Sequence, residues 1–267
     1  MNIRTSLLGA ALLASGAIAQ AHAQAVLLRV TPPVGQVTHY RTLSQTWMQI
    51  PGMTSSDTTQ PTVTQTMFTT RTVTGMDGTA HVVTLVVDSS QRQMPGMGGM
   101  GPGGDMLRGM ITTQHVDSRG RVLSSVVTPP PGAPPMVAQA MQRSGARGTP
   151  AMPERAVSPG ETWTDTMSMP LGGGRGAQAA TTFVMTYKLE RVERRGGGRV
   201  AVVSMDGAVH TDSASAAGAT VGTMTGEIAF DLDAGRVLRM LMDMSARVQT
   251  QQGVLPVRAK TTMELQP

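Results

Sequence analysis

The sequence predicts an all-β protein, a curved antiparallel sheet in the form of a half-barrel or open barrel, built from two repeated β-meanders with a short helix between them. Three observations carry that prediction. Apolar residues alternate with polar ones at period two over most of the chain. Gly and Pro turn signals separate the alternating runs. Short motifs of the first half return in the same order in the second. Hydrophobic residues make up 40% and charged residues 15% of the 267 residues, which supplies a core and excludes a disordered polymer. Only 7 of those residues are Phe, Trp or Tyr, so the 22 Met must share the packing with Val, Leu and Ala. With Cys at 0, disulfides, thiolate metal sites, thiol nucleophiles and N-terminal lipidation through cysteine are all excluded.

Residues 1–23 read as a secretory signal peptide: Arg4 precedes an apolar stretch over residues 6–18, and Ala21-His22-Ala23 places small residues where a signal peptidase cuts. That stretch is too short to span a bilayer, and no later segment approaches the required length, so no integral membrane segment is expected after its removal. The expected location is the periplasm or the cell exterior. Residues 24–267 then form one β domain, with repeats over about 26–130 and 157–267. The net charge of +5 is mild and its arginines are scattered, so no nucleic-acid footprint is visible.

In the first half, strands are predicted over residues 37–49, 62–74, 80–90, 110–117 and 121–128, with turns at Met76-Asp77-Gly78 and Ser118-Arg119-Gly120. In the second half, Phe183, Met185, Tyr187 and Leu189 share one face, as do Met224, Ile228, Phe230 and Leu232 on a second strand. Leu238, Met240, Met242 and Met244 do the same on a third, and Val257, Ala259, Met263 and Leu265 on a fourth. One buried and one wet face per strand is the mark of antiparallel sheet. Gly120-Arg121-Val122-Leu123 returns as Gly235-Arg236-Val237-Leu238, residues 83–88 parallel 201–206, and residues 33–36 parallel 158–161. Two meanders of this size give about 11–12 strands, a number at which an open sheet curls or splits. The Gly-Pro-Met run over 93–109 is expected to be a mobile loop, and Pro134 with Gly145 frames a short helix near 134–143.

No motif for a reaction is present, and the expectation is a non-enzymatic protein with no cofactor and no catalytic residues. The four histidines that follow the signal are too far apart in sequence for paired metal-ligand spacing. His115 and Asp117 share a strand face, which reads as a surface pair. Met94, Met97 and Met100 place three thioethers at spacing three, a pattern that suits the soft ion Cu(I) in an exported protein. Met167, Met169, Met185, Met224, Met240, Met242 and Met244 fall on apolar strand faces. Their unbranched, polarizable side chains can fill a core or line a surface that repacks around an apolar ligand.

Gly160-Glu161-Thr162-Trp163 and Asp233-Ala234-Gly235-Arg236-Val237-Leu238, in the order signal peptide, Gly-Gln/Glu start, Thr-rich strands and acidic Gly-Arg-Val-Leu turn, resemble an uncharacterised family of exported bacterial β-rich proteins, a domain of unknown function. More loosely, the pattern is similar to the half-barrel lipoprotein carriers, whose curved sheet holds acyl chains under a helical lid. That resemblance implies lipid binding, and the residues agree: an uncovered Met-rich concave face would need a helix, an apolar, lipid-like small molecule or an exported protein partner to cover it. A Cu(I)-binding role through the Met94–Met100 run and a structural or surface-interaction role are the alternatives.

Overall fold

A computed structural model describes residues 25–48, 59–95, 105–134, 138, 151–170, 180–211, 220–250 and 253–267. The strands are β1 (Val37–Met48), β2 (Val63–Asp77), β3 (Ala80–Gln93), β4 (Ile111–Val116), β5 (Val122–Thr128), β6 (Thr162–Pro170), β7 (Ala180–Arg195), β8 (Gly198–Thr211), β9 (Thr220–Asp231), β10 (Arg236–Thr250) and β11 (Gly253–Leu265). They form one antiparallel sheet in the order β5-β4-β3-β2-β1-β11-β10-β9-β8-β7-β6. Strands β1–β5 make one meander and β6–β10 a second, and β11 pairs with both β1 and β10 to join them.

The two free edges, β5 and β6, do not pair, yet they meet at one end. Laid flat, eleven strands would hold them about 48 Å apart at the usual interstrand spacing. Instead Arg121, just before β5, reaches Asp165 on β6 at 3.5 Å. The sheet is therefore curled nearly into a barrel without closing into one. Backbone straps complete the junction: Val26 and Val157 exchange two hydrogen bonds of 2.9 Å, Val30 N–H donates to the Ser118 carbonyl, and Met152 N–H donates to that of Arg119. The described hairpins β2–β3, β4–β5, β7–β8 and β9–β10 turn at this strapped end. Met48, Val63, Gln93, Ile111, Pro170, Ala180, Thr211, Thr220, Thr250 and Gly253 end or begin their strands at the other, the loop end.

The main core lines the inner face of the second meander. Phe183, Met185, Tyr187 and Leu189 of β7 pack with Ala201, Val203, Met205 and Val209 of β8 and Ile228 and Phe230 of β9, under Leu28, Met152 and Val157 of the straps. Strand curvature here depends on missing side chains. A Cβ on Gly226 would collide with the Leu241 carbonyl of β10 and with the Met205 methyl, so glycine lets β10 approach across the inside of the bend.

The meanders share local construction. Before β1, Gly35 N–H donates to the Val73 carbonyl and Val73 N–H to that of Gln36. Before β6, Gly160 N–H donates to the Leu189 carbonyl and Leu189 N–H to that of Glu161. Gly35 and Gly160 have φ of 87° and 92°, a region other residues rarely enter. A bulge follows in each, between Val73 and Gly75 and between Leu189 and Arg191. This register makes Arg71 the counterpart of Tyr187, Thr69 of Met185, Met67 of Phe183, and Thr38 of Trp163.

The all-β curled sheet agrees with the sequence reading, with two local corrections. A bulge in the β9–β10 pairing, between Val237 and Arg239, puts Val237 rather than Leu238 against the core. Asp117 is not a partner of His115: its carboxylate caps the β4–β5 turn by accepting from the Arg119 and Arg121 N–H groups. Of the predicted helix, only Pro134 and Ala138 are described, joined by one hydrogen bond of 2.9 Å; the rest lies outside the described residues.

Candidate functional site

The inner face of β10 carries Met240, Met242, Met244 and Ala246 at every second position, and β9 places Met224 directly opposite Met244. Met240, Met242 and Met224 are half-buried and pack against the core, and Met244 is half-buried beside them. Toward the loop end, where β1 finishes beside the start of β11, lies a cavity of about 880 Å³. More of its strand lining comes from the outer face, including Trp47, Thr223, Ser245 and Arg258, than from the inner, which gives Met48, Gly222, Ala246 and Val257; none of the four row methionines lines it. Arg258 sits 5.5 Å from the Trp47 ring and pairs with Asp243 at 2.7 Å.

The structure thus gathers Met224, Met240, Met242 and Met244 along one track and places Met185 among the fully buried core side chains, 1% exposed. Met167 and Met169 lie on β6, and their side chains are outside the described residues. In the thioether run, Met94 is half-buried after β3, while Met97 and Met100 lie outside the described residues.

The first meander presents a different inner face. Thr42 and Ser44 of β1 adjoin Met67 and Gln65 of β2, and Ser44 is hydrogen-bonded to Thr261 of β11. Farther toward the strapped end come Tyr40, Thr69, Arg71 and His81. The Tyr40 hydroxyl donates to the Val237 carbonyl at 3.0 Å, and burial pushes its pKa up. Burial also pushes the Arg71 guanidinium down, and it lowers His81, helped by the Arg71 charge. His81 is 8% exposed, and its Nδ1 has no hydrogen-bond partner. Sequence reasoning passed over this group, although the alternation Met67, Thr69, Arg71, Val73 puts Arg71 in phase with a buried valine. On the outer face, His115 Nδ1 meets Ser124 Oγ at 2.8 Å and Nε2 lies 3.4 Å from Asp77. That Asp77 side chain is 75% exposed, and a carboxylate so well hydrated is a weak orienting group for catalysis.

Among the described residues no cluster of three or more His, Asp or Glu is arranged to hold a metal, and no helix is long and apolar enough to cross a membrane. No family model matches the chain, and no curated protein matches it. Among solved structures it is similar to lipovitellin, described for its lipid–protein interactions, at a TM-score of 0.45 and 10% identity. That alignment covers 89% of this chain and 26% of lipovitellin, so the chain spans about a quarter of its length. It is also similar to a Parabacteroides distasonis ATCC 8503 protein provisionally classed as a lipoprotein, at a TM-score of 0.31 and 9% identity over 90% and 99% of the two chains. A DUF1329 family protein from Desulfovibrio piger ATCC 29098 aligns at a TM-score of 0.24 and 10% identity over 86% and 85%. Likeness at this level carries no argument about ligand or location, which must come from the site itself.

Proposed function

We propose that this is an exported, non-enzymatic binding protein, periplasmic or secreted, that takes the apolar chain of a lipid-like small molecule along its inner sheet face. One observation carries the reading: Met224, Met240, Met242 and Met244 form a continuous half-buried row on the inner sheet face. Thioether side chains are flexible and polarizable, so such a row adapts to chains of differing shape without a dedicated pocket. A cavity of about 880 Å³ is within the usual range for small-molecule sites.

The test is titration of the purified, delipidated protein with the neutral fluorophore N-phenyl-1-naphthylamine. Saturable enhancement is expected, together with a bound lipid in native mass spectra of the protein before delipidation. Met244→Glu puts a charge in the row and should weaken dye affinity about tenfold or more, because the dye must then desolvate a carboxylate. Absence of both saturable dye binding and co-purifying lipid would overturn the proposal.

A further inference from the structure

We propose that the inner face of the first meander is an anion-recognition site, centred on the Arg71 guanidinium with Tyr40 and His81 nearby, which seats the charged head of an amphiphile whose apolar part follows the methionine row. It rests on the apolar-chain reading above and adds the chemistry of the head group.

Register places Arg71 inside. It lies between Thr69 and Val73 at period two, opposite Thr38 on β1 and Leu85 on β3, and Thr38, Thr69 and Val73 are buried. Among the described residues, no carboxylate pairs with it. The first meander's described carboxylates are all committed elsewhere. Asp77 lies against His115, Asp88 accepts from Thr70, Asp105 accepts from the Ser90 backbone, and Asp117 caps its turn. Where the straps and β10 come near, Asp165 faces Arg121 and Asp231 faces Arg236. Arg71 is half-buried, and a guanidinium drawn partly out of water with no carboxylate beside it among the described residues is costly to hold; such groups concentrate at functional sites.

The duplication supplies an internal control. Tyr187, the counterpart of Arg71, stacks on Trp163 at 5.5 Å and packs uncharged in the core, its hydroxyl buried without a partner among the described residues. The same fold position can therefore be filled without charge, so the architecture does not demand an arginine there. His81 adds a second, independent sign: a histidine 8% exposed, on the same inner face, whose Nδ1 lacks a partner. Guanidinium geometry matches both carboxylate and phosphate, which fixes the shared chemistry as an oxyanion.

The test displaces N-phenyl-1-naphthylamine from the delipidated full-length mature protein with dodecanoate, dodecyl phosphate and dodecanol at low salt. At least one anion should displace the dye at about tenfold lower concentration than dodecanol, and the better of the two distinguishes carboxylate from phosphate. Arg71→Met should erase that advantage while leaving dye affinity within about twofold, and Arg71→Lys should keep part of it. Equal or better displacement by dodecanol with the unaltered protein would overturn the inference without any variant, as would an anion advantage that survives in Arg71→Met. A protein that binds neither the dye nor any of the three compounds loses the apolar-chain reading as well. Dye binding with no anion advantage removes the head-group site alone.

Discussion

The two meanders use one backbone plan and opposite interiors. Both start from a Gly turn tied to the following strand by paired hydrogen bonds, and both carry a bulge at the same register. In the second, β7 contributes Phe183, Met185, Tyr187 and Leu189 to the core, whereas β2 of the first contributes Met67, Thr69, Arg71 and Val73 to the same positions. The second meander also has glycines where neighbouring strands press close, and the first has Gly75 with open space around it. The second meander thus has its apolar face covered by Leu28, Met152 and Val157 of the straps. The other is left with polar groups inside, which a fold tolerates only where something else repays their desolvation.

Aromatic truncation tests the contrast most strongly. Phe183→Ala removes a side chain 2% exposed and should lower unfolding free energy by about 3–5 kcal/mol in urea denaturation. Met67→Ala at the half-buried counterpart should cost about 1 kcal/mol. Equal losses would mean that both interiors are packed alike. Glycine substitution probes curvature with a smaller effect. Gly226→Ala forces a Cβ against the Leu241 carbonyl and should cost about 3 kcal/mol. Gly75→Ala, with nothing within 4 Å, should stay within about 0.5 kcal/mol.

The smallest effect is a pH response confined to one turn. Glu161 accepts from the Ser158 N–H at 2.6 Å and from Arg155 at 2.9 Å, and these contacts, the backbone one first, hold its carboxyl below its ordinary value of 4.5. The counterpart before β1 is the neutral Gln36. A lowered folded pKa gives stability that is full above pH 4.5 and fades as pH falls through the folded value. The melting-temperature gap between the natural protein and Glu161→Gln should therefore shrink on acidification below pH 4.5. A gap that widens there would contradict the assigned role.

Period-two alternation in β7, β9 and β10 made strand faces legible in the sequence, since a sheet with one buried side must repeat every second residue. The duplicated Gly turns were legible too, because positive φ restricts the choice of residue. Leu238 was misplaced because a bulge shifts the phase by one residue without a compositional mark. Arg71 was overlooked because Thr-rich β2 has weak contrast between its faces, and a single cation there reads as solvated. His115 was matched to its strand neighbour Asp117 because spacing along a strand cannot show which loop folds beside it.

The amino-acid order by itself determined the strand class, the turns and the methionine row on the inner faces of β9 and β10, because these follow from local backbone preference and the two-residue repeat. It could not decide that β11 would bridge the meanders, that Arg121 would meet Asp165 across a curled sheet, or that the straps would cover one interior and leave Arg71 without a carboxylate partner among the described residues of the other. Those outcomes depend on long-range closure, where contacts between distant segments compete for the same apolar face, and only the assembled tertiary structure settles that competition.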